Sequence, residues 1–199
     1  KTLEYCALKG FKTFDTAPNY GNGAAEIYLG EVFDGEKEII INTKCGTTQK
    51  NEKDFRSISL KESLNGSLER LRVQKINVLF LHNPREEVSN LLKPYNFLKS
   101  EKKKGKISKI GLSMAKDHKY NLNHLKKFNC IQNDLNLLYL KPLFEEKLNG
   151  PTFYARSPLA TGLLAGKINI NTKFEVNDYR ASWLKGDRLK SILKRIDKI

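Results

Sequence analysis

Four side chains with complementary proton chemistry stand at comparable places along the 199-residue chain. Asp15 follows "FKTF", Lys44 follows "IIINT" and His82 follows "VLFL", so three successive apolar runs each end in a titratable group. Tyr20 comes soon after Asp15, in "FDTAPNYGNG". A free phenol, with a pKa of about 10, exchanges protons poorly at neutral pH, but a neighbouring ammonium stabilises its anion. Lys44 has the type for that ammonium, and Asp15 would keep it charged and oriented. His82 can orient a carbonyl oxygen or relay a proton. The set suits polarising a C=O bond while a hydride arrives from elsewhere, because no side chain donates hydride; a reduced nicotinamide is the obvious source.

For these groups to meet, the runs that carry them must be neighbouring strands. Short apolar runs alternate with amphipathic segments at a period of about 30–40 residues, the βα pattern of a parallel sheet. The reading predicts strands at 11–17, 38–45, 77–84, 107–114, 130–136 and 152–159. Helices are expected up to residue 9, closed by Gly10, and at 24–33, 89–103, 118–128 and 182–198. The 24–33 helix would bury Tyr28, Leu29, Val32 and Phe33. Another would open on a capping box of Ser59 and Glu62 and carry Leu60, Leu64, Leu68 and Leu71 on one stripe. Continuous apolar strands are buried on both faces, so helices must cover a doubly wound sheet or ring a barrel. In both, the carboxyl ends of strands face the ligand crevice about 5 Å apart, and Pro18, Gly21 and Gly23 would fold the phenol back over them. Six strands fit the open sheet by count, whereas a barrel needs eight; the chemistry at the strand ends favours the barrel.

Six segments, in order across about residues 3–190, resemble the aldo-keto reductases: "FDTAPNYGNGAAEIYLGEVF", "INTKCG", "LFLHNP", "GKISKIGLSM", "IQNDLNLL" and "YARSPLATGLLAGK". The resemblance implies an α/β fold of the TIM (β/α)8 barrel type, forming one domain over 1–199. It implies NADPH as cofactor, with NADH as the alternative, and reduction of an aldehyde, ketone or sugar carbonyl. Matched position by position, the family's catalytic tetrad falls on Asp15, Tyr20, Lys44 and His82, with Tyr20 as general acid. Ser113 and Gln132 match positions that bind the nicotinamide carboxamide, while Met114 stands where the family commonly has Asn. Arg156 takes the place of an aromatic that stacks on the nicotinamide, as in a variant among bacterial members. Ser157, Leu159 and Lys167 match the loop that touches the pyrophosphate, and Arg180 falls towards the adenosine end. The family's first strand, its last strand and the helix that grips the 2′-phosphate have no counterpart. The expectation is an incomplete barrel of about six strands, truncated at both ends and completed by residues before 1 and after 199. The stretch from Asn136 to Arg156 is short for a strand, helix and strand, so its helix should be rudimentary. A regulatory protein on the same fold, as in channel β subunits resembling this family, is the alternative function.

Composition narrows the classes further. With 39% apolar and 29% charged residues, the chain reads as soluble, and no apolar run approaches the roughly 20 residues that span a bilayer. No secretory signal opens it, and Cys6, Cys45 and Cys130 are too sparse for a disulfide framework or metal knuckle; a cytoplasmic protein without metal is expected. The net charge of +14 is spread over nearly every predicted helix, and the densest run, "KSEKKKGKISK" at 99–109, reads as a solvated helix end rather than a polyanion site. The expected partner is therefore a small carbonyl compound, without nucleic acid or membrane, for a monomer or small homo-oligomer. "GLSMA" at 111–115 approaches the nucleophile elbow, but that motif needs an acid and then a histidine further along, and the only later histidines, His118 and His124, are almost adjacent. "GNGAAE" lacks the third glycine of a dinucleotide fingerprint.

Overall fold

A computed structural model describes residues 1–84, 88–114, 120, 122–140 and 150–198. The chain forms two compact units, Lys1–Asn133 with Leu148–Tyr154, and Asp134–Lys147 with Ala155–Ile199. The first is built on the sheet. Its strands are β1 (Thr13–Asp15), β2 (Ile40–Cys45), β3 (Ile76–His82), β4 (Ile107–Ser113), β5 (Cys130–Asp134) and β6 (Thr152–Arg156), in the spatial order β1-β2-β3-β4-β5-β6. Each neighbouring pair from β1 to β5 is parallel. The helices are α1 (Thr2–Leu8), α2 (Ala24–Val32), α3 (Ser57–Arg70), α4 (Val88–Lys103), α5 (Leu122–Leu125) and α6 (Gly186–Ile196). A doubly wound sheet reverses its strand order at a switch point; here spatial order equals chain order throughout, the pattern of a barrel. The fold is an incomplete (β/α)8 barrel, with six strands among the described residues.

Strand β3 explains why its sequence reads as one apolar run. Leu79 and Leu81 face the helix layer with Leu60, Leu64 and Leu98, while Val78 and Phe80 face the other side with Cys130. Both faces are dry, so neither can be polar. Gly111 on β4 is required by the same packing, because a Cβ there would enter the Phe80 ring.

Two expectations about the helices are corrected. In α2 the inward positions are Glu26, Leu29 and Gly30, followed by Phe33, whereas Tyr28 is 60% exposed. The helix lies so close to the end of α3 that a Cβ on Gly30 would strike the Arg70 carbonyl, and this approach sets its rotation. The buried Glu26 accepts from Thr43 Oγ1 at 2.6 Å and from Arg70 Nε at 2.8 Å. Helix α3 begins at Ser57 and has no capping box. Asp54 instead accepts from the backbone N–H and guanidinium of Arg56, and the hydroxyl of Ser59 turns to the same carboxylate. The leucine stripe of α3 is buried as expected at Leu60, Leu64 and Leu71. Of the predicted helix 118–128, residues 122–125 are helical, while His118 and the segment 141–149 lie outside the described residues.

The second unit has its own small core. Leu163, Leu184 and Leu189 are buried together, and Trp183, Ile192 and Leu193 pack against them. Its helix α6 presents this apolar stripe on one side and Arg188, Lys190, Lys194 and Arg195 among its other positions.

Replacing Arg70 with Met leaves Glu26 buried without its cation, and should cost roughly 3–5 kcal/mol in urea unfolding. Arg72→Met, which breaks the exposed pair with Asp34, should cost under about 1 kcal/mol. Equal losses would contradict this account of α2. The Arg56 hydrogen bonds hold the Asp54 carboxyl at about 2, below its ordinary 3.8. The folded pKa is depressed, so this stabilisation is present above pH 3.8 and is lost as pH falls through about 2. An Asp54→Asn variant should therefore show a shallower loss of stability over that interval in acid titrations.

Candidate active site

The parallel register brings the strand-end residues together. Asp15 pairs with Asn42 across β1 and β2, Lys44 with Phe80 across β2 and β3, and His82 with Ser113 across β3 and β4. Ser113 in turn pairs with Gln132 across β4 and β5. Lys44 is fully buried. Its Nζ donates to Asp15 Oδ2 at 2.5 Å and to the Thr16 carbonyl at 2.7 Å, and stands 5.0 Å from the centre of the Tyr20 ring. The Tyr20 and His82 rings meet edge to face, with centres 6.2 Å apart. Asp15 and Tyr20 thus both approach one ammonium, and His82 lies edge to face with the phenol.

The loop that carries Tyr20 is held by its backbone. Tyr20 N–H closes a turn on the Ala17 carbonyl, and Gly21, Asn22 and Gly23 all adopt left-handed conformations before α2 begins. At Gly23 a side chain is disfavoured by φ of +93°, and a Cβ would also make the Gln49 amide give way.

Ser113 and Gln132 belong to the same hydrogen-bonded run. Ser113 Oγ donates to Gln132 Oε1 at 3.0 Å, and Gln132 Nε2 donates to Asp15 Oδ1 at 3.2 Å. Sequence reasoning missed Asn83, whose Oδ1 lies 3.1 Å from Ser113 Oγ. A hydroxyl carries one proton, so the two acceptors of Ser113 are alternatives. Met114 is buried and bonded through its backbone N–H to the Gln132 carbonyl. Tyr154 offers a second phenol on the sheet, edge-on to Phe80 at 5.6 Å. Burial pushes its pKa up, with Cys130 and Asp15 adding to the effect.

The remaining predicted residues are in the second unit. Arg156 Nε donates to Asp134 Oδ1 at 2.8 Å, and Ser157 Oγ reaches the same oxygen at 3.0 Å. Leu159 and Lys167 flank the Ala160–Ala165 turn, Leu159 at 55% exposure and Lys167 exposed. Ala160, Thr161 and Gly162 are successively left-handed. Arg180 is forked onto Asp178, with Nε at 3.0 Å and Nη2 at 2.6 Å, and reaches the Thr161 carbonyl at 3.2 Å. That fork keeps the Asp178 carboxyl below its ordinary range. Thr161, Glu175, Asn177, Asp178, Tyr179 and Arg180 line a cavity of about 480 Å³. No group of three His, Cys, Asp or Glu side chains able to hold a metal occurs among the described residues. Among them, too, no helix is long and apolar enough to cross a membrane.

Comparison with known proteins gives a consistent result. The model of the aldo/keto reductase family matches residues 1–198. The chain is 28% identical to the NADH-specific methylglyoxal reductase of Escherichia coli over 189 residues, covering 80% of this chain and 56% of that protein. It is 31% identical to the L-galactose dehydrogenase of Arabidopsis thaliana over 173 residues, covering 78% and 53%. Among solved structures, the glycerol dehydrogenase of Gluconobacter oxydans superposes with a TM-score of 0.81 at 25% identity, over 99% of this chain and 65% of that one. The chain spans about half the length of the curated relatives it matches.

The Lys44–Asp15 pair predicts a non-additive response. Asp15→Asn strands a buried ammonium and should cost on the order of 3 kcal/mol, whereas Asp15→Asn with Lys44→Met should recover most of that loss. Additive losses in a denaturant double-mutant cycle would show that the two groups are not coupled.

Proposed function

The chain belongs to the aldo/keto reductase family, and we propose that it is an NADPH-dependent reductase of aldehyde, ketone or sugar carbonyls, with NADH as the alternative donor. The observation that carries the proposal is the fully buried Lys44, bonded to Asp15 and 5.0 Å from the Tyr20 ring. In this reading Tyr20 is the general acid. Lys44 stabilises the phenolate that remains when the proton leaves, and Asp15 orients Lys44 by accepting from its ammonium. His82, edge-on to the phenol, steers the carbonyl oxygen towards it. The oxygen then takes its proton from Tyr20 as negative charge develops on it.

The residues present fit a nicotinamide cofactor, which supplies the hydride when bound. The hydroxyl of Ser113 and the amide of Gln132 offer donors and acceptors complementary to a carboxamide, and the Asn83 amide beside Ser113 adds what Met114 cannot. In the second unit, Ala160, Thr161 and Gly162 form a left-handed turn whose Ala160 and Gly162 N–H groups are spent on the Ser157 and Leu159 carbonyls, so a pyrophosphate contact there would fall to the flanking residues. Ser157, Leu159 and Lys167 would serve that contact, Arg180 would face the adenosine end, and Arg156 would lie along the nicotinamide ring. The setting proposed is a reducing cytoplasm, with a monomer or small homo-oligomer acting on small molecules.

The test is loss of reduced-nicotinamide absorbance with a panel of aldehydes, ketones and sugars, using the full-length protein. Turnover should occur with at least one carbonyl, and Tyr20→Phe should lower kcat by about 10²-fold or more with little change in cofactor binding. Turnover indifferent to Tyr20→Phe would overturn the assignment. Tight cofactor binding without turnover on any carbonyl would move the reading to a regulatory protein.

A further inference from the structure

The segment between β2 and α3 forms a small hairpin that none of the roles above uses. Thr47 and Lys53 face each other as an antiparallel bridge, Thr48 N–H bonds the Glu52 carbonyl at 2.9 Å, and Asn51 turns the corner with φ of +67°. Its base is closed by the Asp54 N–H on the Gly46 carbonyl. Gly46 cannot be replaced there without loss, because its φ is +87° and a Cβ would enter the Phe55 ring.

The hairpin has two arms. At its base Lys53 Nζ donates to Thr47 Oγ1 at 2.6 Å and to the His82 carbonyl at 3.0 Å, and Thr47 Oγ1 donates to that same carbonyl at 3.1 Å. At its tip Asn51 Oδ1 accepts from Asn19 Nδ2 at 2.8 Å, and Asn19 is the residue directly before Tyr20. One turn therefore holds both the backbone carbonyl of His82 and the side chain of Asn19, next to Tyr20.

The ordinary reading of an exposed loop lysine is a solvated cation. Here the ammonium is instead fixed on the Thr47 hydroxyl and the His82 carbonyl, at the cost of most of its rotamer freedom. The geometry points to the Thr47–Lys53 hairpin as the device that sets the Tyr20 phenol against the His82 imidazole, with Lys53 as its principal positioning residue. This rests on the reductase reading only for its effect on turnover; the effect on the His82 ring stands independently. Because Lys53 acts on the backbone of His82 and not on cofactor or substrate, its removal should change the orientation of the imidazole without weakening cofactor binding.

The experiment compares Lys53→Met, Thr47→Val and Lys53→Arg with the parent in the full-length protein. Histidine side-chain NMR, assigned with His82→Gln, reads the imidazole directly and needs no turnover. Lys53→Met should displace the His82 signals and shift their titration, Thr47→Val should do so less, and Lys53→Arg should restore them in large part. In turnover, Lys53→Met should lower kcat about tenfold with the KM for reduced nicotinamide unchanged, and should alter the pH profile of kcat. If Lys53→Met folds with a parental melting curve and leaves both the His82 signals and kcat at parental values, the proposal is overturned. If Lys53→Met does not fold, Thr47→Val decides by the same two readouts. A parent with no turnover would defeat the reductase reading while leaving the NMR arm decisive for the hairpin.

Discussion

A lysine side chain with no solvent exposure is the constraint around which this structure is arranged. Removing an ammonium from water costs several kcal/mol unless an anion and hydrogen bonds replace the lost hydration. Lys44 finds that replacement in Asp15 and in the Thr16 carbonyl, both supplied by the end of β1. The supply depends on register. A shift of one residue between β1 and β2 would turn the carboxylate to the opposite face of the sheet and leave the ammonium unpaired. The energetic demand of one buried charge therefore fixes the pairing of two strands, and with it the position of the loop that carries Tyr20.

Strand β2 meets the same demand on its other face. Thr43 and Lys44 are consecutive and so point to opposite sides of the sheet. Thr43 turns to the helix layer and donates to Glu26, whose second oxygen is held by Arg70 at the end of α3. A buried anion on one face and a buried cation on the other thus tie α2, α3 and β1 to a single strand. Buried ion pairs are weak sources of net stability but strict judges of geometry, since breaking either one strands a charge. At this place strictness is useful, because α2 follows directly from the Tyr20 loop and any slack in it would be passed to the phenol.

The sheet and its strand-end residues were legible because their signals are local. Apolar runs ending in Asp15, Lys44 and His82 need only the strand period and the polarity of parallel sheets to be read as convergent. The resemblance to the aldo-keto reductases rests on the same segments, and the family match over residues 1–198 agrees with it. What escaped reading depends on contacts between distant segments. The rotation of α2 is set by Gly30 against the Arg70 carbonyl, which no periodicity in residues 24–33 encodes, so Tyr28 looked buried and Glu26 did not. The Ser59–Glu62 pattern has the form of a capping box, but Asp54, earlier in the chain, takes the Ser59 hydroxyl and the helix starts sooner. Asn83 lies within "LFLHNP" but becomes visible only once Ser113 of β4 reaches its amide, and Lys53 only once the β2–α3 hairpin lies beside the end of β3.

The two units of the chain are organised differently. Asp15, Tyr20, Lys44, His82, Ser113 and Gln132 all belong to the first unit, and strand register joins five of them. Their mutual geometry is therefore a property of β1 to β5, set by the ladder and by the two buried charges. Arg156, Ser157, Leu159, Lys167 and Arg180 belong to the second unit, where Asp134 and Asp178 orient the two arginines. A guanidinium already forked on a carboxylate keeps its place but offers a ligand less net charge than a free one. Lys167 is exposed, whereas the N–H groups of Ala160 and Gly162 are spent on the Ser157 and Leu159 carbonyls. The two units are accordingly held by different materials: buried, register-locked side chains in the first, and turn hydrogen bonds with carboxylate-anchored arginines in the second.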